Sequence, residues 1–121
     1  MKFANLFAGI PAKLPQEWSE RIVQSESATI ERIVSEGHCS PDGFWYNQDW
    51  DEWVLLVEGA AGLVLEGQPE ALTLSPGDHL LIPAHVKHRV AWTARDRRTI
   101  WLAVHLKKRT ALTSASEPGP A

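Results

Sequence analysis

The chain of 121 residues has one cysteine, Cys39, so no disulfide can form within it and nothing indicates an oxidising compartment. It also lacks any run of about 20 apolar residues, the length that a membrane-spanning helix needs. Basic residues are not concentrated, because Asp96 interrupts the densest stretch at 95–98 and the formal net charge is −3. We therefore expect a cytoplasmic protein with neither a nucleic-acid nor a membrane partner.

Helical periodicity is almost absent, whereas glycine and proline turns separate many short β-prone runs. About eight strands are typical of an all-β protein built as an antiparallel jelly-roll β-barrel, and the length suits one domain. Prolines break the N-terminus, so we expect no signal peptide but an arm over 1–28 that packs on the barrel, with one helical turn near Gln16–Glu20. The barrel is predicted for 29–109 and a flexible tail for 110–121.

The segment Pro76–His88 predicts a tight turn, a short buried strand, a second turn and a histidine that begins the next strand. Proline pre-sets one backbone dihedral of the first turn, and Gly77 accepts the positive φ that many turns need. Pro83 cannot donate to a sheet and therefore closes the short strand. His88 is a candidate metal ligand or acid–base group, and the alternative is a structural histidine bonded to a backbone carbonyl.

Side chains repeat every two residues along a strand, which predicts what shares a face with each candidate residue. If His88 points into the barrel, Val90 and Trp92 do as well. If Glu52 points inward, Val54 and Leu56 do too, and an apolar row of Trp53, Leu55 and Val57 faces outward. Such a row is too large to leave in water, so we expect a homodimer formed by sheet packing.

These residues resemble the motifs of the cupin superfamily of small β-barrels. The second cupin motif is matched by Gly77, Pro83 and His88, while His85 stands where glycine is usual and Trp92 where asparagine is usual. The resemblance covers roughly residues 29–106 and is specific for the fold, because turns, strands and spacing agree in order.

The first cupin motif is matched in spacing by Glu52 and Gly59, but its two histidine positions hold Tyr46 and Gln48. Cupins typically hold a divalent metal through two histidines and a glutamate of the first motif and one histidine of the second. The resemblance therefore implies a site for Zn, Ni, Mn or Fe at Glu52 and His88. Gln48 and Tyr46 would be poorer ligands than imidazole.

Other side chains could complete such a site. His85 is a candidate second imidazole, although a side chain at a glycine position could instead project outward. Six tryptophans are many for this length, and we expect Trp45 and Trp92 to lie near a pocket with Tyr46. Such a pocket would suit a small-molecule ligand that is partly apolar or ring-shaped.

Three functions stay open at this point. The first is a small cupin with a tryptophan-lined cavity that binds a divalent metal, a small metabolite or both. The second is a metal-dependent cupin enzyme of the isomerase, lyase or dioxygenase type, and the third is a structural or sensory dimer without catalysis. The loss of two motif histidines favours ligand binding over a redox role, because a non-haem oxygenase needs two histidines and a carboxylate.

Overall fold

The computed structural model describes residues 1–107, and every regular element in that range is a β-strand. The strands are β1 (Trp18–Gln24), β2 (Ala28–Ser35), β3 (Asp51–Glu58), β4 (Ala61–Leu65), β5 (Leu72–Leu74), β6 (His79–Ile82), β7 (His88–Thr93) and β8 (Thr99–Leu106). They form a five-stranded antiparallel sheet, β1-β2-β8-β3-β6, and a three-stranded one, β5-β4-β7. The predicted all-β antiparallel jelly-roll barrel is confirmed.

None of the described elements is a helix long and apolar enough to cross a membrane. The tail predicted for 110–121 lies outside the described residues, so its flexibility stays a prediction.

An apolar core lies between the two sheets. Its buried members are Val54, Leu56, Ala61, Leu63, Leu74, Ile82, Trp101 and Ala103. Each valine, leucine or isoleucine of this set stabilises the fold by about 1.5–3 kcal/mol relative to an exposed one. The inward orientation predicted for the face of β3 that carries Glu52 is confirmed, because Val54 and Leu56 are buried in this core.

The two turns predicted around β6 are present. The Asp78 amide donates to the Ser75 carbonyl at 2.9 Å, and Gly77 between them has a φ of 96°. A positive φ at the third position is what a type II turn with proline at the second position requires. The second turn follows Pro83, whose carbonyl accepts from the Val86 amide at 3.2 Å, and β7 begins two residues later.

The expectation of a helical turn near Gln16–Glu20 is wrong, because β1 begins at Trp18 and pairs with β2 along its length. Trp18 lies opposite Val34, and the Arg32 guanidinium packs over its indole ring at 5.0 Å. A helical turn here would remove both this contact and the pairing of β1 with β2. The range predicted as an arm, 1–28, therefore contains the edge strand of the five-stranded sheet.

The remainder of the N-terminal segment packs on the outer face of the larger sheet. Leu14 is buried there against Val34 and Ile100, and Leu6 and Ile10 contact the same cluster. Arg32, only 4% exposed, anchors the segment because its Nη1 donates to the carbonyls of residues 6 and 8 at 2.8 and 2.7 Å.

The outer row predicted on β3 is partly covered by the chain itself. Val57 packs against the cluster formed with the N-terminal segment, while Trp53 and Leu55 are half-buried. The N-terminal segment thus supplies part of the cover that the sequence assigned to a second subunit. The homodimer stays a prediction.

Candidate functional site

A cavity of about 250 Å³ lies inside the barrel and is lined by both apolar and polar side chains. The apolar lining consists of Ile33, Val54, Leu63, Ile82, Val90 and Trp101. The polar lining consists of Glu17, Ser19, Glu31, Tyr46, Gln48, Glu52, His88 and His105. An apolar pocket with a few convergent polar groups is the usual form of a small-molecule site.

His88 and Glu52 face each other in this cavity, as the two motifs imply. Both are buried, at 5% and 6% exposed, and His88 Nε2 lies 3.6 Å from Glu52 Oε1. His88 Nδ1 lies 3.1 Å from the Val86 carbonyl, which can only accept, so Nδ1 carries a proton and Nε2 is turned towards the carboxylate. The tight turn before β7 thereby fixes which ring nitrogen faces the cavity.

The surroundings of His88 favour its protonated form. Burial lowers the pKa of His88, but the Glu52 carboxylate and the hydrogen bond to the Val86 carbonyl raise it by more, so the pKa lies above its ordinary value of 6.5. At slightly acid pH the site therefore holds an imidazolium beside a carboxylate, a proton donor and an acceptor on one wall.

Tyr46 and Gln48, which occupy the two histidine positions of the first motif, both line the cavity. Tyr46 and His88 form an isolated antiparallel bridge, with N–O distances of 2.8 and 3.1 Å, and their rings stack with centroids 5.4 Å apart. The Gln48 carbonyl accepts from the His85 amide at 2.7 Å. Backbone pairing thus brings the two motif segments together even though the motif histidines are absent.

His85 does not join them. It is exposed, does not line the cavity, and has a φ of 67°, the left-handed conformation that the turn requires at this position. Its main chain keeps the geometry of the glycine usual in the motif, and its side chain projects outward. The expectation that His85 supplies a second imidazole is wrong for this physical reason.

The expectation that Trp92 lines the cavity is also wrong. The pairing of β4 with β7 shifts register between Gly62 and Leu63, so Ala91 is an extra residue and the alternation that began at His88 reverses. Trp92 is 39% exposed and lies over Gly62, where an added Cβ would clash with the indole ring.

Trp45 is likewise placed outside the cavity lining, at 38% exposed. It precedes Tyr46, which faces the cavity, and adjacent residues of an extended segment point to opposite sides. The indole that does line the cavity is Trp101, on β8.

The structure brings further polar residues to the cavity. Glu31 on β2 and His105 on β8 contact each other, with His105 Nε2 3.2 Å from Glu31 Oε1. Glu17 and Ser19 also line the cavity. Glu17 immediately precedes β1, and Ser19 is the second residue of β1. Alternation through Trp101, Ala103 and His105 on one strand could have indicated a shared face, but not that this face is the inner one.

The donor set does not fit a tightly held transition metal. Within residues 1–107, no group of three or more His, Cys, Asp or Glu side chains is arranged to hold a metal ion. The four motif positions supply one imidazole and one carboxylate, while Tyr46 and Gln48 offer a phenol and a neutral amide. Zn, Ni and Fe prefer imidazole and charged ligands to these groups.

Comparison with known proteins identifies the family. No protein-family model and no curated protein matches the chain. A solved structure from Ralstonia eutropha JMP134, named "putative mannose-6-phosphate isomerase", is 45% identical with a TM-score of 0.85, over 89% of this chain and 100% of that one. The chain belongs to the cupin superfamily.

More distant structures share the fold. A cupin superfamily protein from Desulfitobacterium hafniense DCB-2 is 24% identical with a TM-score of 0.67, over 82% of this chain and 84% of that one. The polyketide cyclase RemF from Streptomyces resistomycificus is 17% identical with a TM-score of 0.70, over 95% and 88% of the two chains. The predicted cupin resemblance is confirmed.

The raised pKa of His88 predicts how the stability of the protein depends on pH. A group whose pKa is raised by folding contributes stability that is fully present below its ordinary pKa of 6.5 and is lost as the pH rises through its folded-state pKa. His88→Gln should therefore lower the free energy of unfolding more at about pH 5.5 than at about pH 9. Urea denaturation at both pH values measures this difference.

The control for this prediction is the same pair of proteins in a Glu52→Gln background. Because the Glu52 carboxylate is a main source of the raised pKa, the pH dependence of the His88→Gln effect should shrink there. An effect of His88→Gln that is equal at the two pH values in the Glu52 protein would contradict the assignment.

Proposed function

We propose that the chain binds a small polar metabolite in the barrel cavity, with His88 and Glu52 as the groups that contact it. The proposal is supported by the burial of His88 and Glu52 and by the distance between their polar atoms. The two side chains are more than nine-tenths buried and face a cavity of about 250 Å³, yet their polar atoms are 3.6 Å apart, beyond hydrogen-bond distance.

A ligand hydroxyl that bridges His88 and Glu52 would accept from the imidazolium and donate to the carboxylate, so that each contact is a charge-assisted hydrogen bond. The apolar lining residues Val54, Ile82 and Trp101 would contact the hydrocarbon part of the same ligand.

A divalent ion at Gln48, Glu52 and His88, the other prediction from the motifs, is expected to bind weakly. A structural or catalytic zinc site uses more imidazole, thiolate or carboxylate ligands than the one imidazole and one carboxylate that are present here. We therefore assign the recognition of the ligand to the side chains themselves, without a tightly bound metal.

A second candidate function is that of an isomerase acting on the bound ligand. It is favoured by the 45% identity to the Ralstonia protein and by the acid–base pair in the cavity, since protonated His88 could give a proton and Glu52 could take one. The lyase and dioxygenase alternatives have no comparable support, because the donor set lacks the two-histidine, one-carboxylate triad.

Ligand binding can be tested by NMR with a panel of small sugars, polyols and amino sugars. For any compound that shifts the Tyr46 and His88 amide signals, His88→Gln and Glu52→Gln should each weaken binding by about tenfold, because one hydrogen bond to a charged group is lost. Trp92→Leu, a large change outside the cavity, should alter affinity by less than about twofold. Equal affinity of the wild type and both site variants would refute the proposal.

The weak-metal assignment can be tested by restoring the missing ligands. The double variant Tyr46→His, Gln48→His places two imidazoles at positions that already line the cavity beside Glu52 and His88. It should bind Zn²⁺ at least about 100-fold more tightly than the wild type in calorimetric titration, because imidazole is a much better ligand than phenol or amide. Stoichiometric, chelator-resistant metal in the wild-type protein would sink the assignment.

A further inference from the structure

A second polar cluster lies on the wall formed by β2 and β8, outside both cupin motifs. Glu31 lies opposite Ala103 in the ladder, and His105 is two residues farther along β8, so Glu31 and His105 are diagonal neighbours on the inner face. Trp50, just before β3, contacts the far side of the His105 ring.

Hydrogen bonding determines which ring nitrogen of His105 carries the proton. The Trp50 indole Nε1, which can only donate, lies 2.9 Å from His105 Nδ1, so Nδ1 is an acceptor without a proton. The imidazole proton is therefore on Nε2, which points at Glu31 Oε1 at 3.2 Å. His105 thus donates from Nε2 to the Glu31 carboxylate and orients it, as a neutral donor that adds no positive charge.

The rest of the cavity adds negative charge and no permanent positive charge. Glu52 and Glu17 also line it, with the pKa of Glu17 raised by burial, whereas none of the described lining residues is lysine or arginine. The three carboxylates act on the same volume: burial raises the pKa of Tyr46, and the negative charges of Glu17, Glu52 and Glu31 raise it further. His88 can offset one of these charges.

We propose that the Glu31–His105 wall is a subsite for a cationic nitrogen group, so that the ligand class of the cavity is small amines rather than phosphorylated compounds. This rests on the proposed function, because the remainder of the ligand is placed against His88 and Glu52. An ammonium group is a strong partner for a carboxylate that is already oriented by a neutral donor.

A phosphate group would meet the opposite environment. It carries negative charge into a low-dielectric space with three carboxylates, and the phosphate ligands that proteins use most, arginine and lysine, are missing from the described lining. We therefore expect this cavity to bind the phosphorylated sugar in the name of the Ralstonia protein poorly.

The test compares matched compounds that differ in charge. Glucosamine, glucose and glucose 6-phosphate form one set, and ethanolamine, ethylene glycol and glycolate form a smaller one. Each is titrated into the ¹⁵N-labelled full chain, with the Trp50 indole N–H signal as the reporter of the subsite. In at least one set the amine should bind about tenfold more tightly than its neutral partner and shift the Trp50 signal, and the anion should bind most weakly.

A variant pair separates local from general charge effects. Glu31→Gln keeps an acceptor for His105 while removing the charge, and should abolish the preference for the amine by weakening the amine about tenfold more than the neutral compound. Glu26→Gln removes the same charge from an exposed turn outside the cavity lining and should change neither affinity. If Glu31→Gln does not fold, the ranking measured on the wild type decides alone.

The outcomes distinguish the two proposals. Neutral compounds that bind as well as the amines, or anions that bind better, would overturn the amine subsite and leave ligand binding in the cavity intact. An amine preference that survives Glu31→Gln would also overturn the subsite. If no compound in either set shifts signals from cavity residues at millimolar concentration, the subsite and the proposed function both fail.

Discussion

The antiparallel bridge between Tyr46 and His88 is the contact on which the site depends. Its two backbone hydrogen bonds join the segment before β3 to the start of β7, two parts of the chain that carry the two cupin motifs. A third backbone bond, from His85 to Gln48, extends the same connection. Because these bonds use only main-chain atoms, the site keeps its shape although the motif histidines are replaced.

The replacement of those histidines changes what the site can do. Tyr46 stacks on the His88 ring, and Gln48 lines the cavity with a neutral amide. The position of His88 is thus preserved by packing and by its bond to the Val86 carbonyl, without support from metal ligands. A histidine held in this way, beside a buried carboxylate, is suited to binding or protonating an organic ligand.

The sequence predicts local features well, because turn chemistry and motif spacing act over a few residues. The turns around β6, the inward face of β3 and the cavity positions of Glu52 and His88 follow from such features. Trp92 could not be placed in the same way. One extra residue at Ala91 reverses the alternation, and the period of two contains no sign of a bulge.

Long-range pairing is the other part that the sequence does not specify. Glu31 and His105 are 74 residues apart and meet because β2 and β8 are neighbours in the larger sheet. Neither belongs to a motif, and each alone reads as a polar residue of a half-buried strand. The sequence also did not predict that β1 pairs with β2, because this segment was predicted as an arm. That pairing places Ser19 opposite Ile33 at the cavity.

Two histidines with opposite hydrogen-bond arrangements face one cavity, each beside a carboxylate. Long-range ¹H–¹⁵N correlation spectra of the imidazole rings test this arrangement directly, at a pH at which His88 has lost its second proton. We expect the remaining proton on Nδ1 of His88, bonded to the Val86 carbonyl, and on Nε2 of His105, facing Glu31. Signals that place the proton on Nδ1 of His105, or on Nε2 of His88, would contradict the account.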